Sequence, residues 1–244
     1  MRSMIAGILL GAVFALPAGA APFTVSSPTP SKVLKLKLRS DYKDTDTKDT
    51  LVFPKIGLEV PLMENLSMTV SGNFRNVDRV GGEEHYGFGD VEIEGKWQFL
   101  DAKDNSLGVA MGINPELTLA TGNDRKGLGT GNTEIYLPLV MSKKVGPWEF
   151  GGEIGYHHMF EQHEDEMTYG VLVMRRVAPD LRLGAELVVD APPSHFSDYD
   201  LTMNGGFKWA LSSKVELHGL VGHSLRTVDG NDVLKVKVGL DWKF

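Results

Sequence analysis

From Val33 onward the chain alternates apolar and polar residues with a period of two, the signature of a strand whose successive side chains leave opposite faces of the pleat. The last segment, Val233–Phe244, shows it most plainly. Leu234, Val236, Val238, Leu240, Trp242 and Phe244 share one face, and Lys235, Lys237, Gly239, Asp241 and Lys243 share the other. A water-soluble sheet rarely ends on an exposed Trp-x-Phe, whereas a strand with one face in lipid and one in a polar lumen does so naturally.

Twelve such segments are predicted: Val33–Ser40, Lys55–Leu62, Leu66–Phe74, Phe88–Leu100, Leu107–Thr121, Thr133–Ser142, Trp148–His157, Met167–Arg176, Leu181–Asp190, Asp200–Ala210, Lys214–His223 and Val233–Phe244. Alternation is weakest in Met167–Arg176. Short connections rich in turn residues, such as Met63–Asn65 and Leu211–Ser213, alternate with longer polar ones, such as Asp41–Asp49, Arg75–Gly87 and Gly122–Asn132. Short–long alternation with an even strand count predicts an all-β fold: a transmembrane up-and-down antiparallel β-barrel of about twelve strands, with both termini on the periplasmic side.

In this threading Trp97, Trp148, Trp209 and Trp242 fall with Phe244 at the periplasmic ends of outward rows, beside Phe99, Phe150 and Phe207. Phe74, Phe88, Tyr156 and Tyr169 fall at the opposite ends. Two aromatic belts flanking an apolar band are what two lipid–water interfaces select.

The amino terminus points to the same compartment. Arg2, the apolar stretch Ile5–Leu16 and the A-x-A site Ala18–Ala20 read as a secretory signal over residues 1–20. The apolar stretch is too short for a membrane-spanning helix. Residues 21–32, rich in Pro and Ser, are expected to be a short periplasmic leader, a loose tail rather than a plug, and residues 33–244 the barrel. With no cysteine among 244 residues, a disulfide-stapled scaffold is excluded. Losing Arg2 with the signal takes the formal charge from −7 to −8, and with no basic cluster nucleic acid is not an expected partner. The expected partners are outer-membrane lipid and lipopolysaccharide, the assembly machinery acting on the C-terminal strand, and a small-molecule solute.

Inward positions carry the candidate chemistry. Lys35, Lys37, Arg39, Lys235 and Lys237 fall on the first and last strands, which barrel closure makes neighbours, and form a basic wall. Glu92, Glu94, Glu116, Glu134 and Glu153 form an acidic wall across the lumen. Facing walls of opposite sign set up a transverse field that orients dipolar solutes. Twelve strands enclose a lumen between those that side chains fill and those that hold wide water channels. Two readings therefore stay open: passive, partly selective diffusion of small polar or aromatic solutes, or a packed lumen in a structural or adhesive barrel.

Other chemistry is less well supported. His157, His158 and His163 lie among acidic residues in an external loop and make a weak candidate metal site with no recognised spacing. A surface lipid hydrolase would draw on Ser194, His195 and Asp198, or on His218 beside Glu216. Neither set matches a hydrolase motif, so no catalytic residue and no cofactor is assigned.

The most specific local signal is Pro115-Glu116-Leu117-Thr118-Leu119-Ala120-Thr121-Gly122, followed by Gly127-Leu128-Gly129-Thr130-Gly131, together with Gly87-Phe88-Gly89-Asp90-Val91. These segments resemble the outer-membrane transporter family named after the meta-pathway of phenol degradation. That family carries GxGD before a strand, then P-E-x-x-L-P-T-G and G-L-G-[ST]-G around the next external loop. Ala120 stands where the family has Pro. The resemblance implies an outer-membrane channel for small organic compounds.

Overall fold

The computed structural model describes residues 22–161 and 164–244. The signal-peptide reading of residues 1–20 lies outside them. Fourteen strand segments form one antiparallel sheet: β1 (Lys35–Thr45), β2 (Lys48–Met63), β3 (Leu66–Arg79), β4 (His85–Phe88), β5 (Val91–Leu100), β6 (Val109–Ile113), β7 (Glu116–Leu119), β8 (Glu134–Val145), β9 (Trp148–Met159), β10 (Glu164–Arg176), β11 (Leu181–Ala191), β12 (Asp200–Ala210), β13 (Val215–Arg226) and β14 (Val233–Lys243). β4 and β5 both pair with β3, and β6 and β7 both pair with β5 and β8, so each couple fills one place in the wall. β1 pairs with β14, from Lys35 opposite Lys243 to Thr45 opposite Val233. The result is a closed barrel of twelve strands, as the alternation predicts, and closure leaves no long edge to aggregate.

Two predicted strands are each broken in the middle. Phe88–Leu100 is interrupted at Gly89-Asp90, and Leu107–Thr121 at Asn114-Pro115, where proline removes a ladder donor. Several strands also run farther than expected. β1 and β2 leave only Asp46 and Thr47 between them, where a loop over Asp41–Asp49 was expected. Beyond the apolar band both strand faces are polar, so pairing continues where the period of two is no longer written in hydrophobicity.

The outer surface carries the apolar rows. Ile56, Leu58, Val70, Leu139, Ile154, Val171, Leu187 and Val221 are all exposed on it. Trp97, Trp148, Trp209 and Trp242 are also exposed, and all lie at the end with the short turns, as does Phe244. There the Trp209 indole donates to Asp180 (2.8 Å), and the Arg175 guanidinium lies over Trp148 (5.2 Å). At the other end Phe74 packs on Tyr86 and Phe88, and Tyr169 on Phe196. Large apolar side chains facing outward in a continuous band between two aromatic rings need hydrocarbon, not water, as their solvent.

Candidate functional site

The inside of the barrel holds many of the most buried of the described residues, and several belong to the leader. Pro22–Ser31 runs in an arc along the inner wall; the expectation of a loose tail is corrected. Phe23 and Val25 pack with Leu172, Met174 and Leu220 in a small apolar cluster, and Pro28 is fully buried. Three lumen carboxylates receive the leader's backbone. Glu186 accepts from Thr24 N and Val25 N (both 2.9 Å), Glu153 from Ser26 N (2.9 Å), and Glu59 from Ser31 N (3.1 Å). Asn114, at the break between β6 and β7, donates to Ser26 Oγ (2.8 Å) and to the Ser27 carbonyl (3.1 Å). All but the bond to Ser26 Oγ satisfy a backbone group of a segment that has no ladder of its own.

Inward glycines make the room. A Cβ at Gly170 would lie 2.4 Å from a Val25 methyl, and one at Gly151 would lie 3.1 Å from the other. At Gly184 and Gly206 it would meet the Phe23 ring at 3.2 and 3.1 Å, and at Gly112 it would meet Pro28 at 3.1 Å. Apolar residues on the inner face complete the seat, which explains the weak alternation of β10: Leu172 and Met174 face the leader while Val171 and Val173 face outward.

The two charged walls are only partly separate. Toward the turn end, lysines and glutamates interlock. Lys35 reaches Glu59 (3.0 Å) and Asp241 (3.4 Å), and Lys37 reaches Glu59 (3.2 Å) and Glu94 (3.4 Å). Lys96 also reaches Glu94 (3.3 Å), and Lys55 pairs with Glu92. Lys35 and Lys37 thus meet glutamates directly, because long side chains on β1, β2 and β5 converge around buried Glu59. Arg39, Lys235 and Lys237 form no ion pair among the described residues, and neither do Glu116 and Glu153. These five candidate residues carry charge that no ion pair among the described residues answers. At the turn-end mouth Arg182 joins Glu149 (3.5 Å) to Glu216 (3.1 Å) beside a recess of about 390 Å³.

The family-like segments converge at the loop end. The Asp90 carboxylate accepts from Gly122 N (2.8 Å) and Thr130 N (2.7 Å), clamping both ends of the glycine-rich loop. Asn73 in turn holds the Asp90 carbonyl (2.8 Å). The loop folds inward, burying Leu128, and Gly87 is bare where a Cβ would stand 2.8 Å from that side chain. Close approach is again what the glycine provides.

The candidate metal set is divided. His157 contacts Glu134 (3.2 Å) and His158 contacts Asp165 (2.6 Å), and neighbours on one strand point to opposite faces. His163 lies outside the described residues, among which no cluster of three such ligands occurs. Ser194 Oγ meets His195 Nδ1 at 3.0 Å in an exposed loop, but the bond between Asp198 and His195 runs through the backbone, the Asp198 amide donating to the His195 carbonyl (2.9 Å). His218 is buried 4.0 Å from Glu216. Glu59, Glu186, Tyr136 and Asn114 are site residues that the sequence pattern did not single out. The inward glycines and the apolar inner face of β10 were their legible signal.

No family model and no curated protein matches this sequence. Solved structures do match. Its fold is shared with outer-membrane channels. The COG4313 outer membrane channel from Pseudomonas putida F1 is 15% identical, with a TM-score of 0.68 over 92% of this chain and 100% of that one. The NanC porin is 8% identical, with a TM-score of 0.61 over 86% of this chain and 100% of that one. The CymD monoaromatic hydrocarbon channel is 9% identical, with a TM-score of 0.51 over 92% and 94%. At these identities the likeness is one of fold.

Proposed function

We propose that this protein is an outer-membrane channel for passive diffusion of small solutes, held shut by its own leader. Its turn end faces the periplasm and its loop end meets lipopolysaccharide, and the last strand engages the assembly machinery. The observation that carries this reading is the leader's binding mode. Ten residues are seated on the inner wall by hydrogen bonds and a small apolar cluster, with no covalent cross-link to that wall, so what occupies the lumen can swing away while tethered to β1. Arg39, Lys235 and Lys237 on one side, with Glu116 and Glu153 on the other, line the route a solute would take. The Asp90 clamp supports membership of the phenol meta-pathway family, since it gives the family-like motifs one shared task. The channels with the same fold support a small-solute cargo, the CymD channel being one for monoaromatic hydrocarbons.

A reversible lock tests it in the full chain. A Cβ placed at Gly170 would lie 3.8 Å from that of Val25, the separation a disulfide spans, and the chain has no other cysteine. In planar bilayers V25C/G170C is expected to conduct when reduced and to fall to baseline when oxidised. Equal currents in both states would remove the leader as gate. No current in either would favour a structural barrel with a packed lumen.

A further inference from the structure

Glu153 and Glu186 are buried carboxylates, 4% and 2% exposed, with no cation within salt-bridge distance among the described residues. Neutral donors alone hold them. Glu186 takes Thr24 N, Val25 N and Asn204 Nδ2 (2.7 Å), and Glu153 takes Ser26 N, Ser26 Oγ (3.0 Å) and Tyr136 OH (2.6 Å). Their geometry is built. Tyr136 lies flat over Gly155, where a Cβ would stand 2.3 Å from its ring, and Asn204 fits over Gly222, where a Cβ would stand 1.7 Å from its amide oxygen. When the leader leaves, four of these six donors leave with it. Two neighbouring carboxylates then face the lumen with Tyr136 and Asn204 as their only protein donors, a pair of negative charges that favours a cation over water in the vacated seat. Beside them the seats of Phe23 and Val25 open as an apolar hollow lined by Leu172, Met174 and Leu220.

We infer that this vacated seat is a solute subsite for a primary ammonium joined to a small apolar group, and that the leader is its internal competitor. An ammonium offers three N–H donors and the missing charge. The leader also sets the spacing. Three carbons separate the Phe23 ring from the Thr24 nitrogen that bonds Glu186, the spacing in 3-phenylpropylammonium. Such a cation places its ring where Phe23 lies and its nitrogen on Glu186, with Glu153 adjacent. The inference rests on the leader-gated reading and adds the solute class to it.

The test uses the full chain with Val25→Cys as the sole thiol, folded in micelles, and reads the rate of its modification by a water-soluble maleimide. Saturating 3-phenylpropylammonium is expected to speed modification about tenfold or more over 3-phenylpropan-1-ol, the neutral isostere, by trading places with the leader. Glu186→Gln, checked for folding by its heat-dependent gel mobility, is expected to abolish that difference, and Glu153→Gln to reduce it. Equal rates with amine and alcohol would overturn the subsite, as would a preference that survives in Glu186→Gln. The disulfide-lock currents judge the channel separately. A lock variant that conducts only when reduced, with no amine preference, removes the subsite alone, and an amine preference with no current in either redox state removes the channel alone.

Discussion

Single residues in the lumen divide by whether their charge is answered. Lys37 is buried and shared between Glu59 and Glu94, so its substitution strands a carboxylate. Lys37→Met is expected to cost about 3 kcal/mol in urea unfolding from lipid. Lys235 and Lys237 hold no such partner, so the double change Lys235→Glu, Lys237→Glu should fold normally and instead turn the reduced lock variant toward cation selectivity, measured as a reversal potential in a salt gradient. Unchanged selectivity would show that these side chains do not line the path. The sequence makes both sets legible as inward-facing, because facing is set by the period of two. It hides which are paired, because Lys37 meets Glu94 across 57 residues, and only the curl of the wall through β1, β2, β3 and β5 brings them together.

Among the elements, the broken strands are the informative ones. β4 and β5 part at Gly89-Asp90 so that one carboxylate can bond two amides of the loop before β8. Asp90→Ala removes both bonds, each worth about 1.5–3 kcal/mol as a hydrogen bond to a charged group. The barrel is expected to remain folded while trypsin cuts the loop at Arg125 or Lys126 at least tenfold faster. Cutting at the parental rate would mean that the clamp is not what orders the loop. The residues of this motif are recognisable in the sequence, yet read there as the ordinary start of a strand. The break appears only because Asp90 faces a loop some 30 to 40 residues away. The leader is harder still to read: it has no periodicity, and its evidence lies on other elements, in the glycines of β9 to β12 and the apolar inner face of β10.

For the whole molecule the decisive quantity is where its apolar surface goes. All four tryptophans sit at one end of the outer face, so their fluorescence should be quenched more by lipids brominated near the headgroup than by lipids brominated near the chain terminus. The opposite order would place the band at another depth. Here the sequence is at its most explicit, since lipid is uniform and an outward row needs no partner to be recognised. Its silence begins wherever a side chain must find one.

The leader's bonds also impose an order on assembly. Ser31 finds Glu59 28 residues downstream, but Thr24 must wait for Glu186, 162 residues on. Neighbouring strands can pair as hairpins as each is made, with short loops to close. The leader's seat needs β2, β9, β11 and β12 standing together, so the first part of the described chain to be synthesised is the last to be fully bonded. A half-built barrel therefore carries Phe23 and Val25 unburied, and sealing β1 against β14 and filling the lumen become a single closing event.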